Sequence, residues 1–245
     1  CVMNEQTFEP LQPKVVLGIA AHPDDLDFGS SGTLAKFARD GAEVHYLILT
    51  DGSKGSADPN MTSPQLVKIR RAEQEAAVQA IHGKAAHFLN YPDGGLEVTQ
   101  EVKRDVVRAI RQIKPNVVIT MDPTHLYSMQ RGMINHTDHR AAGQAAIDAV
   151  FPLARDRLSF PELFNDEGLE PHKVKTLLLT NFDKHNFSVD ISETFELKLD
   201  ALRAHASQIG DFDQVDKWLR EGAAKAGKEA GCKYAENFIR LEMMP

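Results

Sequence analysis

Five short runs of β-branched and other apolar residues, at 14–21, 43–50, 86–91, 116–121 and 174–181, constrain this chain more than any other feature of it. Such runs, apolar with little polar alternation, suit strands buried on both faces, the condition of a parallel sheet covered by helices on each side. Between them, residues 32–40, 63–81, 100–114 and 137–150 carry apolar side chains at helical spacing, and 193–208 and 212–230 do so after the last run. Strand and helix alternate, which predicts βαβ units and a mostly parallel sheet. Residues 151–171, with three prolines, read as an irregular excursion. No break in composition divides the 245 residues, so one α/β domain over 1–245 is expected.

Each of the first four runs ends in polar residues. "HPDD" (22–25) follows the first, "DGSKGS" (51–56) the second, "PDGG" (92–95) the third, and "MDPTH" (121–125) with "NHTDH" (135–139) the fourth. In a parallel sheet all of these lie at the carboxyl edge, where open α/β folds place their ligands. Four polar clusters therefore converge on one rim.

Adjacent carboxylates beside an imidazole repel one another in a crevice unless a positive charge sits among them, and a divalent cation supplies it. His22 and Asp25 offer one nitrogen and one oxygen, and His136 or His139 a third ligand. Asn135 is a suitable N-cap for a helix, with Asp138 at its third position, and a spacing of three puts both histidines on one helical face. Two histidines and a carboxylate leave a position open for water, as in catalytic zinc sites, and zinc lowers the pKa of that water toward neutrality. Ferrous iron suits the same donors. Asp24 and the spare histidine then remain as base and acid for amide hydrolysis, the histidine oriented by a carboxylate such as Asp138. Alone, "HPDD" is also a good turn and "HTDH" a capped helix start; their conjunction on one rim carries the argument.

The balance of 28 basic against 35 acidic residues, net −7, with no basic run, excludes nucleic acid and anionic membrane surfaces as expected partners. No apolar stretch approaches the roughly 20 residues of a membrane span. Two cysteines, Cys1 and Cys232, make no disulfide framework, and a soluble protein of the reducing cytoplasm is expected. A native start at Met3 is favoured over a lipidated Cys1, since no signal peptide is present.

"AHPDDLDFGSSGT" together with "NHTDHRAAG" resembles the PIG-L/LmbE-like family of zinc-dependent N-acetylglucosaminyl deacetylases, whose signatures have the form A-H-P-D-D-x-E and H-x-D-H. The resemblance extends through "IRRAEQEAA" (69–77), "YPDGGL" (91–96), "ELKLDALRAHASQ" (196–208) and "KYAENF" (233–238). It implies a Rossmann-like fold, one zinc ion per chain held by His22, Asp25 and His139, and Asp24 as general base. It further implies His136 as the acid that also helps stabilise the oxyanion, Asp138 orienting it, Arg70 directed into the substrate pocket and Asp93 touching sugar hydroxyls. The implied reaction removes an N-acetyl group from a small amino-sugar compound, in a homo-oligomer. Competing readings are an amidase acting on a sugar-thiol conjugate or other acylated amine, and a sugar- or nucleotide-binding module without turnover.

Two positions depart from the pattern. Asp27 stands where the family has Glu, and Ile134 where some relatives carry a Tyr, so oxyanion help from that position is absent and falls to another residue such as Tyr127, or to none. The Gly/Ser-rich stretch 51–60 lacks phosphate-loop spacing and reads as a loop beside the pocket, and "GSSGT" as close packing. Asp122 and His125 fall near the rim. His205 and Gln208 read as packing or pocket wall, His45, His82, His87, His172 and His185 as ordinary histidines, and Trp218, Tyr234 and Phe238 as packing for the last helices.

Overall fold

The computed structural model describes residues 8–244, so Cys1 and Met3, on which the expectation about the chain's start rests, lie outside it. In chain order its elements are β1 (Val15–Ala20), α1 (Asp25–Gly29), α2 (Ser31–Arg39), β2 (Glu43–Thr50), α3 (Ser63–Ala80), β3 (Ala85–Tyr91), α4 (Gln100–Ile113) and β4 (Val117–Met121). A small hairpin follows, β5 (Tyr127–Ser128) and β6 (Met133–Ile134), then α5 (Thr137–Asp148), a π-turn at Ala149–Leu153 and α6 (Pro161–Asn165). The chain closes with β7 (Thr176–Thr180), β8 (Phe187–Asp190), α7 (Phe195–Arg203), α8 (Phe212–Ala230) and β9 (Ala235–Glu242).

Seven strands form one sheet in the order β3-β2-β1-β4-β7-β9-β8. The first five in that order run parallel, and β9 and β8 are antiparallel additions at one end. In β1, Val16 and Ala20 face a core completed by α2, α3 and α7, while Leu17 and Ile19 face one completed by α4 and α5. Both faces are sealed, which is why the run reads as uniformly apolar. Burying each such Leu or Ile stabilises by about 1.5–3 kcal/mol. No helix among the described residues is long and apolar enough to cross a membrane.

The mostly parallel sheet flanked by helices is the architecture expected, and the strand and helix boundaries agree to within a few residues. The differences are β8 and β9, the short hairpin, and the short helices α1 and α6. In β9 charged residues stand among apolar ones, and Glu236 and Arg240 are buried along with Ala235 and Phe238. Glu236 receives the Lys198 ammonium and caps Gly32 and Thr33, while the Arg240 guanidinium donates to the Glu9 carbonyl. Tyr234 and Phe238, expected among the last helices, lie before and within this strand; Phe238 is part of the core and Tyr234 stacks on Phe195.

Two close approaches set helix positions. At Gly32 a Cβ would stand 2.7 Å from Ile191 Cδ1, so "GSSGT" is a close-packing segment as expected. At Gly143 a Cβ would stand 2.2 Å from the Met121 carbonyl oxygen. That neighbour is backbone and cannot swing aside, so glycine lets α5 rest directly on the end of β4. Gly143→Ala is expected to destabilise the fold by about 1–3 kcal/mol, read as a lowered urea midpoint with unchanged slope.

On the edge strand β3 and its neighbour β2, His87 Nε2 and His45 Nδ1 lie 3.2 Å apart with rings stacked. Burial, and for His45 its neighbour His87, holds both rings below their ordinary pKa of 6.5. The unfolded chain takes up these protons near 6.5 and the folded chain only at lower pH, so their contribution is complete above 6.5 and is lost as pH falls below it. Urea denaturation across this range should show a shallower acid-side loss in His87→Asn than in the parent; equal slopes would remove the pair from the account.

Candidate metal centre and cleft

The turn after β1 is built under strain. Asp24 sits at φ 95°, in the left-handed region that costs a non-glycine residue on the order of 1–3 kcal/mol. Gln74 Oε1 accepts its N–H at 3.0 Å, and Arg70 Nη2 donates to the Pro23 carbonyl at 2.8 Å. α1 begins immediately, so the Asp25 carboxylate folds back and accepts the His22 N–H at 2.7 Å. Beneath the turn, fully buried Asp27 accepts from Tyr46, Gln74 and His205, at 3.0, 2.8 and 2.8 Å. Asp27 therefore anchors the turn from below, and His205 is part of that anchor.

The second motif opens α5, with a difference from expectation in its cap. His136, not Asn135, is the N-cap, its Nδ1 accepting the Asp138 N–H at 3.1 Å. Asn135 is turned inward instead: its Oδ1 lies 3.1 Å from His139 Nδ1, and its Nδ2 donates to the His125 carbonyl at 2.8 Å. The Asp138 carboxylate does not reach His136. It accepts the Gly94 and Leu96 N–H groups at 2.7 and 3.2 Å and lies 3.2 Å from His22 Nε2, because the "PDGG" loop presents two backbone donors that a buried carboxylate must satisfy.

The three imidazoles come together, with nitrogens of His22, His136 and His139 within 4.8 Å of one another. His22, Asp93 and Asp138 form a second such group. Asp25 lies against two of the rings, 3.4 Å from His22 Nδ1 and 3.0 Å from His139 Nε2. Hydrogen bonds on the far side of each ring distinguish the histidines. The outer nitrogens of His22 and His139 face acceptors, Asp138 with Asp93 and Asn135, so those nitrogens carry the fixed protons, and the inner ones, beside Asp25, are the positions where a proton or a cation is held. Such outer partners are the usual support of metal-binding histidines. The outer nitrogen of His136 faces a donor, the Asp138 N–H, which leaves its proton on Nε2. His22, Asp25 and His139 thus fit a divalent cation, and His136 stands beside them in the wrong tautomer for a ligand.

The electrostatics agree. Burial works against a charge on His22, yet the carboxylates of Asp25 and Asp93 push its pKa up to about 10. Asp25 is held well below the carboxylate range despite its burial, through His139 and His22. Burial, with the charge of Asp25 second, pushes Asp24 up to about 7. Protons on the rings answer the same negative potential that a cation would.

Arg70 and Asp93 are placed differently from expectation. Arg70 is 4% exposed, with Nη1 and Nη2 donating to the carbonyls of Gly52, Lys54 and Pro23, so it ties two loops together instead of entering a pocket. The Asp93 carboxylate is taken up by His22 at 3.2 Å and the Lys54 N–H at 3.0 Å. Beside Asp25 and His139 opens a cleft of about 490 Å³, floored by Phe28, Met121 and Ile191 and walled by α8. Trp218, expected in helix packing, is 51% exposed and lines this cleft, as does His125; Tyr127 stands exposed on the hairpin and does not. Gln74 had no distinguishing pattern in the sequence, while Asn135 read there as a helix cap and Trp218 as packing. Asn135→Ala is expected to weaken metal affinity about 10- to 100-fold in chelator competition, since His139 loses the acceptor that fixes its tautomer.

Residues 17–150 match the family described as PIG-L: GlcNAc-PI de-N-acetylase. Diacetylchitobiose deacetylase of Thermococcus kodakarensis is 35% identical over 227 residues, covering 92% of this chain and 82% of that protein. The 1D-myo-inositol 2-acetamido-2-deoxy-alpha-D-glucopyranoside deacetylase of Rhodococcus erythropolis is 29% identical, covering 80% and 81%. The structure of N,N'-diacetylchitobiose deacetylase from Pyrococcus horikoshii, solved with an inhibitor, superposes with a TM-score of 0.85 at 33% identity, over 94% of this chain and 84% of that one.

Proposed function

The chain belongs to the PIG-L family, and from that premise we propose that it is a metal-dependent hydrolase that removes the N-acetyl group from an N-acetylglucosamine-type compound. The observation that carries the reading is the Asp25 carboxylate set between the inner nitrogens of His22 and His139, with Asp24 on the adjacent turn and a cleft alongside. His22, Asp25 and His139 would hold the ion, and zinc is the proposed metal because two imidazoles and a carboxylate leave an open position. When bound, such an ion lowers the pKa of a water and polarises the acetamide carbonyl.

Asp24 then serves as base. Its elevated pKa matches a group that must both accept a proton near neutrality and release it again. His136, with Nδ1 engaged by the Asp138 N–H, presents Nε2–H to the developing oxyanion. To protonate the departing amine it must also gain a proton at Nδ1, which requires the ring to leave the Asp138 N–H; its exposed position permits that turn. Arg70 and Gln74 hold Asp24 in its strained turn throughout. One water adds across the amide, giving acetate and a free amino sugar.

A cytoplasmic location is part of the proposal, supported by the spare use of cysteine. Assembly into a homo-oligomer is a further part, supported by exposed Leu126, Tyr127, Met129 and Ile134 on and around the β5–β6 hairpin.

Release of free amine from N-acetylglucosamine compounds should cease on chelation and return with zinc or ferrous iron. Asp24→Asn should lower kcat about a hundred- to ten-thousand-fold while bound metal stays constant. Full turnover in Asp24→Asn would remove Asp24 from the mechanism.

A further inference from the structure

Two buried charges are left without a task by the chemistry at the metal. Lys198 on α7 and Glu236 on β9 are 3% and 7% exposed, and Lys198 Nζ lies 2.5 Å from Glu236 Oε1. A salt bridge this far from water is a weak source of stability, because its desolvation cost rivals its Coulomb gain and a well-packed apolar pair serves a fold as well or better. The remaining partners of the two charges show what they do instead.

Lys198 Nζ also donates to the Phe28 carbonyl at 2.7 Å, and the Glu236 carboxylate accepts the N–H groups of Gly32 and Thr33 at 3.2 and 2.7 Å. Phe28 belongs to the last turn of α1 and Gly32 and Thr33 to the first turn of α2, so the pair grips both sides of the joint between these helices. The signs are matched to the free backbone groups there, a cation on a carbonyl and an anion on amides. Ser30, the N-cap of α2, makes no side-chain cap and turns its hydroxyl to the Leu26 carbonyl. Glu236 therefore stands in for the cap from more than two hundred residues away.

The helix held in this way carries the metal ligand. α1 has five residues, too few to keep a geometry of its own, and Asp25 is its first. Asp27 pins it from one side through Tyr46, Gln74 and His205, which leaves the helix free to tilt about that point. The Phe28 carbonyl lies about one turn from Asp25, and its bond to Lys198 removes the tilt.

Resting on the metal-centre part of the proposed function, we propose that Lys198 and Glu236 are positioning residues for Asp25: they lock the α1–α2 joint so that the Asp25 carboxylate meets a cation between His22 and His139. The affinity and geometry of the metal centre thereby depend on the last strand of the chain.

The test separates stability from metal binding. Lys198→Met and Glu236→Gln each strand one buried charge, and each should lower both the urea midpoint and the affinity for zinc in chelator competition. The double variant Lys198→Met/Glu236→Gln strands none. Its urea midpoint should recover most of the loss, while its zinc affinity stays about tenfold or more below the parent's and the visible absorption bands of the cobalt(II)-loaded protein, which follow ligand geometry, differ from the parent's. Parent-like zinc affinity and cobalt bands in the folded double variant overturn the proposal and leave a pair that serves the fold alone.

If the double variant does not fold, Glu236→Asp decides, since it keeps the charge and withdraws the carboxylate by one methylene. With an unchanged circular dichroism spectrum it should shift the cobalt bands and weaken zinc binding about tenfold; parent-like metal binding overturns the proposal. A parent protein that takes up neither zinc nor cobalt overturns it together with the metal-centre reading. A parent that binds zinc and releases no amine from N-acetylglucosamine compounds removes the deacetylase reading alone, and the variants' metal affinities still decide this one.

Discussion

Four carboxylates, those of Asp24, Asp25, Asp93 and Asp138, gather around one buried imidazole, His22. So much negative charge in a partly dry crevice is intolerable without compensation. Much of the surrounding architecture consists of that compensation. Backbone N–H groups of Gly94 and Leu96 answer Asp138, that of Lys54 answers Asp93, and the Arg70 guanidinium lies 3.5 Å from Asp24 and 3.8 Å from Asp93. The charge at Asp25 is answered by the inner nitrogens of His22 and His139, the positions a cation would take over.

Arg70 shows how the supporting structure is economical. One guanidinium ties the loop after β1 to the loop after β2 through carbonyls and stands beside two acids as well. Deeper down, Asp27 joins α1, β2, α3 and the segment after α7 through Tyr46, Gln74 and His205. The shorter side chain at position 27 is sufficient because its three partners reach in from different elements. A strained turn at Asp24 is thereby held by contacts that lie outside it.

The parallel strands and the helices between them were legible because both faces of each strand are buried, which leaves uninterrupted apolar runs at 14–21, 43–50 and 116–121. β9 escaped notice because Glu236 and Arg240 are buried as charged residues, and only the folded structure brings Lys198 to the former and the Glu9 carbonyl to the latter. The residues gathered at the candidate metal centre were legible from type and spacing, since His22, Asp25, His136 and His139 lie within two short motifs. Their roles were legible only in part: the destination of the Asp138 carboxylate depends on the loop at 94–96, and that of Arg70 on three carbonyls distant in sequence. Asn135 had the composition of a helix cap, and tertiary contact with His125 and His139 claimed it instead.

The placing of β9 bears on biogenesis. It is the last strand in this sequence to leave the ribosome, yet it lies between β7 and β8 in the sheet. Until it emerges, β8 has no neighbour to pair with, β7 presents a bare edge to other nascent chains, and the Lys198 ammonium and the first turn of α2 await Glu236. Completion of the sheet therefore waits on β9 and joins Glu236 to Gly32 and Thr33, some two hundred residues earlier, a long-range closure of the slow kind. Chains truncated before Ala235 would leave that edge open, and quality-control proteases and chaperones would meet them as unfinished sheets.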